Sequence, residues 1–474
     1  MKLYTISEPE LEFGEGKSVC PKDGILNYHV YDSRHTPRRD QIIVGAVGES
    51  QSLEKLGNWL DRCASTIPPK LNNHHPSLFT GFPGFNKHNG FKAEFVYGDN
   101  VTRTINHSET SKIIKNRDWN SRVDESVELY YKEIKFLAQN RSVDTIICII
   151  PNELYDKIAK ESHEPVEDAL EDEKADDLLE MNFRRALKAK SMHLGVPLQL
   201  MRELSLEPNP SSQQDDATRA WNFCTALYYK SGKTVPWKLS SNINRPSICF
   251  VGIGFYRSRD RKVLHTSLAQ IFNELGDGVI LRGTPVEINK EDRQPHLSEI
   301  QAYDLLKHAL EEYKFAVKSS PGRLVMHKSS NYTEAELSGF TEAAEDAQIH
   351  SRDFITLLST EIRLLREGDY PPLRGTHIEL DSKHHLLYTR GSVPYYMTYT
   401  GLYIPQPLEV RIIEADESPS LICEEILGLT KMNWNNTQFD GRLPITIQCA
   451  KKVGEIMKYL KEDEQPQIRY SYYM

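Results

Sequence analysis

The amino-acid sequence predicts an α/β fold in which a Rossmann-like domain is followed by an RNase H-like domain. The stretch VDTIICIIPNELYDKIAK is a continuous apolar strand that turns at Pro-Asn into a helix, which is typical of a parallel sheet covered on both faces. Strand, helix, strand and helix alternate over residues 144–232, and this alternation favours a Rossmann-like unit. Mixed strands and helices after VPWKLSSNINRPS favour an RNase H-like layout for the remainder.

The composition limits the kind of protein this can be. The chain has 474 residues, of which 39% are hydrophobic and 26% charged, and this balance suits a globular protein with large buried cores. No apolar run approaches the ~20 residues that span a bilayer. The N-terminal MKLYTISEPELEFGEG lacks the apolar core of a signal peptide. We therefore expect a cytoplasmic protein with no membrane partner.

Cysteine and histidine spacing indicates neither a disulfide framework nor a metal site. The seven Cys residues are scattered, are never spaced C-x-x-C and mostly lie within apolar runs, as reduced core thiols do. The pairs His74-His75 and His384-His385 lack the i, i+4 spacing of paired ligands on a helix.

Charge is distributed unevenly along a chain whose formal net charge is −9. Residues 161–180, ESHEPVEDALEDEKADDLLE, hold ten acids and one Lys, which indicates a solvated loop or helix face. The segment FRRALKAKSMHLGVPLQ, residues 183–199, then places four cations within seven residues with no acid among them. Net acidity argues against indiscriminate coating of nucleic acid, but it leaves room for a local basic groove.

The first half of the chain shows both strand and helix periodicity. Residues 1–115 contain the strand-like runs QIIVGAVG and FKAEFVYG beside an aromatic, Gly-rich loop, FTGFPGFNKHNGF. RVDESVELYYKEIKFLAQN and MNFRRALKAKSMH are predicted helices, and GVPLQLMREL is a turn followed by a strand. DATRAWNFCTALYYKSGK is a helix ended by Ser-Gly, with Trp221, Cys224 and Tyr228 on one stripe.

The second half alternates strands with two helices that carry clear start signals. ICFVGIGFY and DGVILRG are predicted strands, and LSEIQAYDLLKHALEEYKFAV is a helix opened by the capping box Ser298-x-x-Gln301. RLVMHKSS is a strand that leads into a helix with a second box, Thr333-x-x-Glu336. DFITLLST, HLLYTRG and LEVRII add strands, and PITIQCAKKVGEIMKYL is a C-terminal helix.

The basic segment predicts an anion-binding pocket. Arg184 and Lys188 are four residues apart and share one helix face. Gln199 follows the Gly-Val-Pro turn and Lys230 ends the next helix, and we expect these elements to converge at one end of the sheet. A terminal phosphate carries about −1.5 to −2 charges, which such cations, the amide and nearby backbone N–H groups would hold. The alternative is an ordinary solvated basic face.

The stretches RRALKAKSMHLGVPLQL and AWNFCTALYYKSGKTVPWKL resemble the MID domain of Argonaute proteins. In that family a Tyr/Arg-x-x-x-Lys helix, a Gly-hydrophobic-Pro-x-Gln turn and a Lys ahead of Gly-rich sequence hold the 5′ phosphate of a guide strand. The resemblance implies that Lys188, Gln199 and Lys230 take these roles and that Arg184 occupies the position usually held by Tyr. Arginine adds charge there and removes a ring on which the first base could stack.

The resemblance extends over nearly the whole chain. EPELEFGEG, IIVGAVG and LFTGFPGFNKHNGF resemble the segment before MID in prokaryotic Argonautes. CFVGIGFY, RLVMHKSSNYTEAEL and ILGLTKMNWNNTQFDGRLPITIQCAKKVGEI resemble PIWI, and KMNWNNT is the most specific of these stretches. The implied layout is that of the short prokaryotic Argonautes: an N-terminal segment over 1–115, MID over 116–240 and PIWI over 241–474, without N or PAZ domains. The resemblance also implies a structural Mg²⁺ at the guide phosphate, bound by Gln199 and the terminal carboxylate of Met474.

The PIWI-like sequence departs from the pattern of an active nuclease. RNase H-like cleavage needs several carboxylates around two metal ions about 3.5–4 Å apart. Active PIWI domains have Gly-Ile-Asp on the opening strand, where this chain has Gly254, and Arg-Asp-Gly after a later strand, where it has Lys328-Ser329-Ser330. Lys451 matches the last acidic position, on the C-terminal helix. We therefore expect no catalytic residues and no nuclease activity.

A guide–target duplex is expected to lie in a channel between the two domains, where a protein reads the A-form backbone and leaves sequence to base pairing. For each candidate channel cation the alternative is an exposed surface charge without a role. These candidates are Arg257, Arg259, Arg261, Lys262, Lys451 and Lys452.

The expected function is guide-directed recognition by a catalytically inactive short Argonaute. We expect a 5′-phosphorylated guide RNA and a single-stranded DNA target. The resemblance implies a separate partner, in which an APAZ region is fused to a TIR or sirtuin-type NADase or to a nuclease. Target recognition would activate this effector, deplete NAD and abort infection. The chain has no Gly-rich dinucleotide fingerprint and no TIR-like or sirtuin-like segment, so an NADase would act in trans.

Two alternatives stay open at this point. A guide-dependent Argonaute nuclease with a rearranged carboxylate site would draw on Asp260, Glu334 and Glu336. A Rossmann-like domain that binds a small anionic ligand would use the same basic pocket.

Overall fold

A computed structural model describes the fold for residues 1–35, 38, 40–158, 181–208, 214–232, 235–240, 245–258, 263–272, 278–288, 293–367, 371–401, 403–461 and 464–474. The acidic run 161–180 and the predicted site residues Arg259, Asp260, Arg261 and Lys262 lie outside the described residues.

The described helices are α1 (Pro21–Tyr28), α2 (Ser50–Ala64), α3 (His107–Lys115), α4 (Trp119–Asn140), α5 (Asn152–Ile158), α6 (Met181–Ser191), α7 (Asp216–Ser231), α8 (Glu299–Val317), α9 (Glu334–Asp346), α10 (Pro419–Leu429) and α11 (Ile445–Met457). Both predicted capping boxes are present, Ser298 with Gln301 at the start of α8 and Thr333 with Glu336 at the start of α9.

The described strands are β1 (Lys2–Thr5), β2 (Leu11–Glu12), β3 (Lys17–Ser18), β4 (Gln41–Gly48), β5 (Glu94–Val96), β6 (Thr102–Thr104), β7 (Thr145–Ile150), β8 (Leu198–Arg202), β9 (Lys238–Leu239), β10 (Ile248–Arg257), β11 (Leu264–Phe272), β12 (Gly278–Ile288), β13 (Pro295–His296), β14 (Arg323–Lys328), β15 (Ser351–Ser359), β16 (Thr376–Glu379), β17 (His384–Leu387), β18 (Ser392–Val393), β19 (Thr398–Tyr399) and β20 (Leu408–Glu414). Strand β11 is the one long strand among them that the sequence patterns did not predict.

A parallel sheet organises the first domain. Its order is β5-β4-β7-β8, and β6 also pairs with β4. Every residue of β7 is buried, and alternate residues enter two cores. Ile147 and Ile149 join the core that includes α2 and α7, whereas Ile146, Cys148 and Ile150 join the core that includes α4 and α6. The prediction of a parallel sheet covered on both faces is therefore confirmed.

The domain boundary predicted after residue 115 does not follow this sheet. Strands β4, β5 and β6 lie before that boundary and pair in parallel with one another or with β7. The reason is that Ile42, Val44 and Ala46 of β4 are buried in the same core as β7, and that β4 lies between β5 and β7 in the sheet. Residues 41–104 are thus part of this domain and do not form a separate segment packed on it.

A mixed ten-stranded sheet organises the second domain, with the order β1-β16-β17-β20-β15-β14-β10-β11-β12-β13 among the described residues. Strands β10, β11 and β12 form an antiparallel meander, and β14 and β15 continue from β10 in parallel. Phe250 and Tyr256 of β10 belong to the core that includes α10 and α11, whereas Val251 and Ile253 belong to the core with α8 and α9. The two faces of this sheet therefore carry different helix pairs.

The N-terminal residues join the two domains. Strand β1 pairs with β16 at the edge of the mixed sheet, and β2 pairs with β9. Lys431, in the KMNWNNT stretch, donates to the carbonyl oxygens of Pro9 (2.6 Å) and Val19 (2.9 Å). The chain start is therefore fixed against the second domain by backbone pairing and by a buried lysine.

All seven cysteines are buried and free, in line with the predicted reduced thiols. Within the described ranges, no helix is both long enough and apolar enough to cross a membrane.

Candidate functional site

The four residues predicted to form an anion pocket are brought together at the junction of the two domains. Arg184 and Lys188 lie on α6, Gln199 is the second residue of β8, and Lys230 lies in the last turn of α7. The Lys230 ammonium donates to the Gln199 amide oxygen, Oε1. The position of Lys230 at a helix C-terminus suits a cation, because the helix dipole is negative there.

Lys188 is the most unusual residue of the pocket. Its side chain is 3% exposed, and its Nζ has no hydrogen-bond partner among the residues that the structure describes. Burial, followed by the charges of Arg184, Lys230 and Lys452, holds the pKa of Lys188 well below its usual value. A buried ammonium without an anion is costly, so a negatively charged group beside Lys188 would stabilise it.

Lys230 has the same electrostatic character. Its side chain is 3% exposed, and burial together with Arg184 and Lys452 lowers its pKa well below the usual value. The pocket therefore concentrates positive charge from three elements of the chain.

Lys452 is a member of this pocket that the sequence patterns did not assign to it. The sequence placed Lys452 in a duplex channel, but the residue lies on α11 of the second domain, and its charge lowers the pKa of both buried lysines. Helices α6 and α11 are joined by an ion pair between Arg185 and Glu455. Because contact between two helices so distant in sequence leaves no local pattern, only the Lys-Lys pair itself could have indicated it.

A left-handed turn positions Gln199. Gly195 closes the short 3-10 helix Met192–Leu194 with φ +72°, a conformation that glycine adopts without steric cost. The C-terminal tail packs on the same turn, since the Tyr472 hydroxyl donates to the Gly195 carbonyl (2.7 Å) and Gln467 Nε2 donates to the Met192 carbonyl (3.3 Å). Met474, the predicted partner of the guide phosphate, is 1% exposed and belongs to the core beside α7.

Helix α7 is anchored on both sides, which fixes Lys230. The aromatic loop predicted from FTGFPGFNKHNGF packs on it, with Trp221 Nε1 donating to the Gly81 carbonyl (3.1 Å). From the KMNWNNT stretch, the Trp434 ring lies 4.9 Å from that of Tyr229, and the backbone N–H of Thr437 donates to Asn222 Oδ1 (3.2 Å). The most specific stretch of the sequence thus supports the pocket from the second domain.

The side chains of this pocket do not fit a resident Mg²⁺. Magnesium prefers oxygen ligands, especially carboxylates, yet the Gln199 amide oxygen already accepts from Lys230. Across the described ranges, no cluster of three or more His, Cys, Asp and Glu side chains could hold a metal ion.

The three positions compared with a nuclease site lie on or beside the central strands β10 and β14 of the mixed sheet. Ile253 pairs with Lys328 across β10 and β14, so Gly254 and Ser329 are the next residues along the two strands. Gly254 is buried and shares a face of β10 with Gly252 and Tyr256, both of which contact α11, the helix of Lys451. The structure therefore brings Gly254 and Ser329 together, with the helix of the half-buried Lys451 packed over that face.

The carboxylates considered for a rearranged site have other positions. Glu336 is fully buried, and its carboxylate accepts a hydrogen bond from Lys328 Nζ (2.6 Å). It also accepts from the backbone N–H groups of Leu297 and Thr333 (both 2.9 Å). Glu334 is exposed on the first turn of α9. Helix α9 covers the face of the sheet opposite to α11, so neither carboxylate lies on the face of Gly254.

Among the described channel candidates, Arg257 is exposed at the end of β10, and Lys451 and Lys452 are half-buried on α11. The other candidates, Arg259, Arg261 and Lys262, lie outside the described residues.

The sequence matches no protein-family model and no curated protein. Solved structures do match. Clostridium butyricum Argonaute bound to a guide DNA and a 19-mer target DNA has a TM-score of 0.67 at 15% identity. The match covers 99% of this chain and 54% of the Clostridium butyricum chain. Drosophila Piwi has a TM-score of 0.59 at 15% identity, with 99% and 56% covered. Marinitoga piezophila Argonaute in complex with a 5′ OH guide RNA has a TM-score of 0.56 at 16% identity, with 100% and 59% covered.

This chain has an Argonaute-like fold. It spans a little more than half the length of the Argonaute structures that it matches. The predicted fold class is confirmed: the parallel sheet is the MID-like part of the Argonaute-like fold, and the mixed sheet is its RNase H-like, PIWI-like part. The pocket of Arg184, Lys188, Gln199, Lys230 and Lys452 lies where these two parts meet.

Proposed function

We propose that this protein binds a 5′-phosphorylated guide RNA in the basic pocket and uses it to recognise complementary single-stranded DNA. The observation that carries the proposal is the buried Lys188 ammonium, which is surrounded by cations and has no hydrogen-bond partner within the described residues. A terminal phosphate supplies the missing charge and three acceptor oxygens. The Argonaute-like fold supports a nucleic-acid strand as the bearer of that phosphate.

The test compares one RNA with a 5′ phosphate or a 5′ hydroxyl. We expect the phosphorylated strand to bind at least about tenfold more tightly, because charge-assisted hydrogen bonds contribute roughly 1.5–3 kcal/mol. Lys188→Met should remove most of that preference. Lys190→Met is the matched control, since Lys190 lies on the same helix but pairs with Glu128 on α4. Equal binding of the two strands by the wild-type protein would refute the proposal.

The proposed function is recognition without cleavage. Gly254, Ser329 and Lys451 offer no carboxylate at the positions compared with a PIWI nuclease site, and two-metal cleavage depends on such carboxylates. We expect guide-loaded protein to leave a labelled complementary strand intact in Mg²⁺ or Mn²⁺. Guide-dependent cleavage of that strand would overturn this part of the proposal.

The proposal includes a partner in the cytoplasm, in which an APAZ region is joined to a TIR or sirtuin-type effector. Its support is the sequence resemblance to short prokaryotic Argonautes, whose effectors act in trans. The protein purified with this partner should consume NAD only when guide and target are both present. Consumption that ignores the target strand would argue against target-triggered activation.

A further inference from the structure

The phosphate pocket is completed by a cation from the PIWI-like domain. Lys452 belongs to α11, whereas Arg184 and Lys188 belong to α6 and Lys230 to α7. Lys452 nevertheless acts electrostatically on both Lys188 and Lys230. Charges on four residues from two domains therefore act at one buried site.

The helix contact that delivers Lys452 is itself specific. Glu455 follows Lys452 by three residues and so shares a face of α11 with it. Glu455 forms an ion pair with Arg185 of α6, and Lys458 donates to Glu455 at 2.8 Å. The face of α11 that carries Lys452 is thus turned towards α6.

The same geometry disfavours a divalent cation. The Gln199 amide oxygen, which the sequence resemblance assigned to Mg²⁺, is bonded to Lys230. A terminal phosphate carries about −1.5 to −2 charges, so four cations exceed the charge to be neutralised even when the terminal carboxylate of Met474 is added to it. An added Mg²⁺ would be repelled by those cations and would have to share the Gln199 amide oxygen with the Lys230 ammonium.

We infer that this protein holds the terminal phosphate of its guide without a divalent metal ion, and that Lys452 supplies the charge that such an ion would provide. This inference rests on the proposed function. It makes guide loading depend on the docking of α11 against α6, so that both domains take part in binding the first nucleotide.

The experiment measures binding of 5′-phosphate and 5′-hydroxyl RNA in EDTA and in Mg²⁺, at matched ionic strength. Wild-type protein should keep the same preference for the phosphorylated strand in both buffers. Lys452→Gln should lower that preference about tenfold, the equivalent of about 1.4 kcal/mol. Lys307→Gln is the control, because Lys307 is exposed on α8, on the opposite face of the mixed sheet. Thermal unfolding of both variants checks that they are folded.

The possible failures are distinguishable. A wild-type preference that exists in Mg²⁺ and disappears in EDTA would overturn metal-free binding while leaving the proposed function intact. A preference that persists undiminished in folded Lys452→Gln would overturn the role of Lys452. Absence of any preference for the phosphorylated strand in either buffer would refute the proposed function itself.

Discussion

Lys188 and Lys230 are two nearly inaccessible lysines of one pocket, and Lys230 is among the cations that lower the pKa of Lys188. Such an arrangement opposes folding and favours an anionic ligand, because like charges repel strongly where water is excluded. Stability and ligand binding should therefore respond in opposite directions when this charge is removed.

Lys188→Met should stabilise the ligand-free protein while weakening binding of a 5′-phosphorylated RNA. Methionine keeps the unbranched shape, and removing an uncompensated buried charge is expected to raise the free energy of unfolding by about 1–3 kcal/mol. Urea denaturation measures the first effect, and competition between phosphorylated and unphosphorylated RNA measures the second. A variant that is both less stable and unchanged in binding would contradict the assignment of Lys188 to a ligand site.

Binding of the phosphorylated strand should weaken as the pH rises from 7 to 9. In the free protein, burial and the charges of Arg184, Lys230 and Lys452 lower the pKa of Lys188, whereas the Cys148 thiol raises it slightly. A bound phosphate raises the pKa of Lys188 again, so binding takes up protons between the two pKa values and is disfavoured as protons become scarce. The phosphate is already a dianion over this range, its second pKa being about 6.

The control for that measurement is the 5′-hydroxyl strand, whose affinity should change far less over the same pH range. Lys188→Met should flatten the pH dependence of the phosphorylated strand. An identical pH dependence in wild type and variant would assign the proton uptake to another group.

Gly195→Ala should cost about 1–2 kcal/mol of stability through the backbone alone. The residue has φ +72°, and a Cβ there would have no atom within 4 Å, so no clash contributes. Because Gly195 shapes the turn before Gln199 and accepts from Tyr472, we also expect weaker binding of phosphorylated RNA. Tyr472→Phe is the companion variant: it leaves the turn conformation unstrained and should weaken binding less. Unchanged stability in Gly195→Ala would show that the turn adopts another conformation in solution.

Sequence patterns predicted some residues of the pocket but not all of them. Arg184, Lys188, Gln199 and Lys230 could be predicted because each lies at a recognisable place, a helix face, a Gly-Pro turn or a helix end. Lys452 could not be assigned to the pocket, since its membership depends on α11 crossing α6, a contact between residues some 260 positions apart in the sequence. Periodicity reports which face of a helix is buried but not which helix covers it.

The fold shows the same division. The apolar strand β7 and the two capping boxes were predicted from local residues and are present. The parallel pairing of β4 with β7 could not be predicted in the same way. Parallel pairing is set by long-range packing, and a parallel crossover leaves no turn signal between the two strands. A boundary drawn after residue 115 therefore divided strands that share one sheet.

Acid should destabilise the protein below about pH 6.5 through buried neutral histidines. Burial and the charge of Arg323 lower the pKa of His327 to about 3, and burial and His385 lower the pKa of His377 to about 4. The unfolded chain thus binds more protons than the folded one as the pH falls from 6.5 towards 4, and stability is lost in that window at up to about 1.4 kcal/mol per pH unit for each histidine.

Urea midpoints between pH 7.5 and 4.5 measure this slope. His327→Asn should flatten it, because Asn cannot take up the proton yet can still bond the Thr446 hydroxyl that His327 Nδ1 contacts at 2.8 Å. His384→Asn is the control, because the His384 side chain is 45% exposed and the residue is not one of the buried histidines. Equal slopes in wild type and His327→Asn would show that protonation of His327 does not cause the loss of stability in acid.

The buried ion pair between Lys328 and Glu336 predicts a structural role for Glu336, and the stability of variants distinguishes this role from a catalytic one. Both side chains are 0% exposed, with Nζ and Oε1 2.6 Å apart, so Glu336→Gln leaves an ammonium buried without its anion. We expect a loss of about 3–5 kcal/mol, whereas Glu334→Gln, at an exposed position on the same helix, should change stability by less than about 0.5 kcal/mol. Lys328→Met combined with Glu336→Gln should recover part of the loss, because the stranded charge is then gone. A catalytic carboxylate would show the reverse: Glu336→Gln would keep its unfolding midpoint and abolish a guide-dependent cleavage measurable in the wild type.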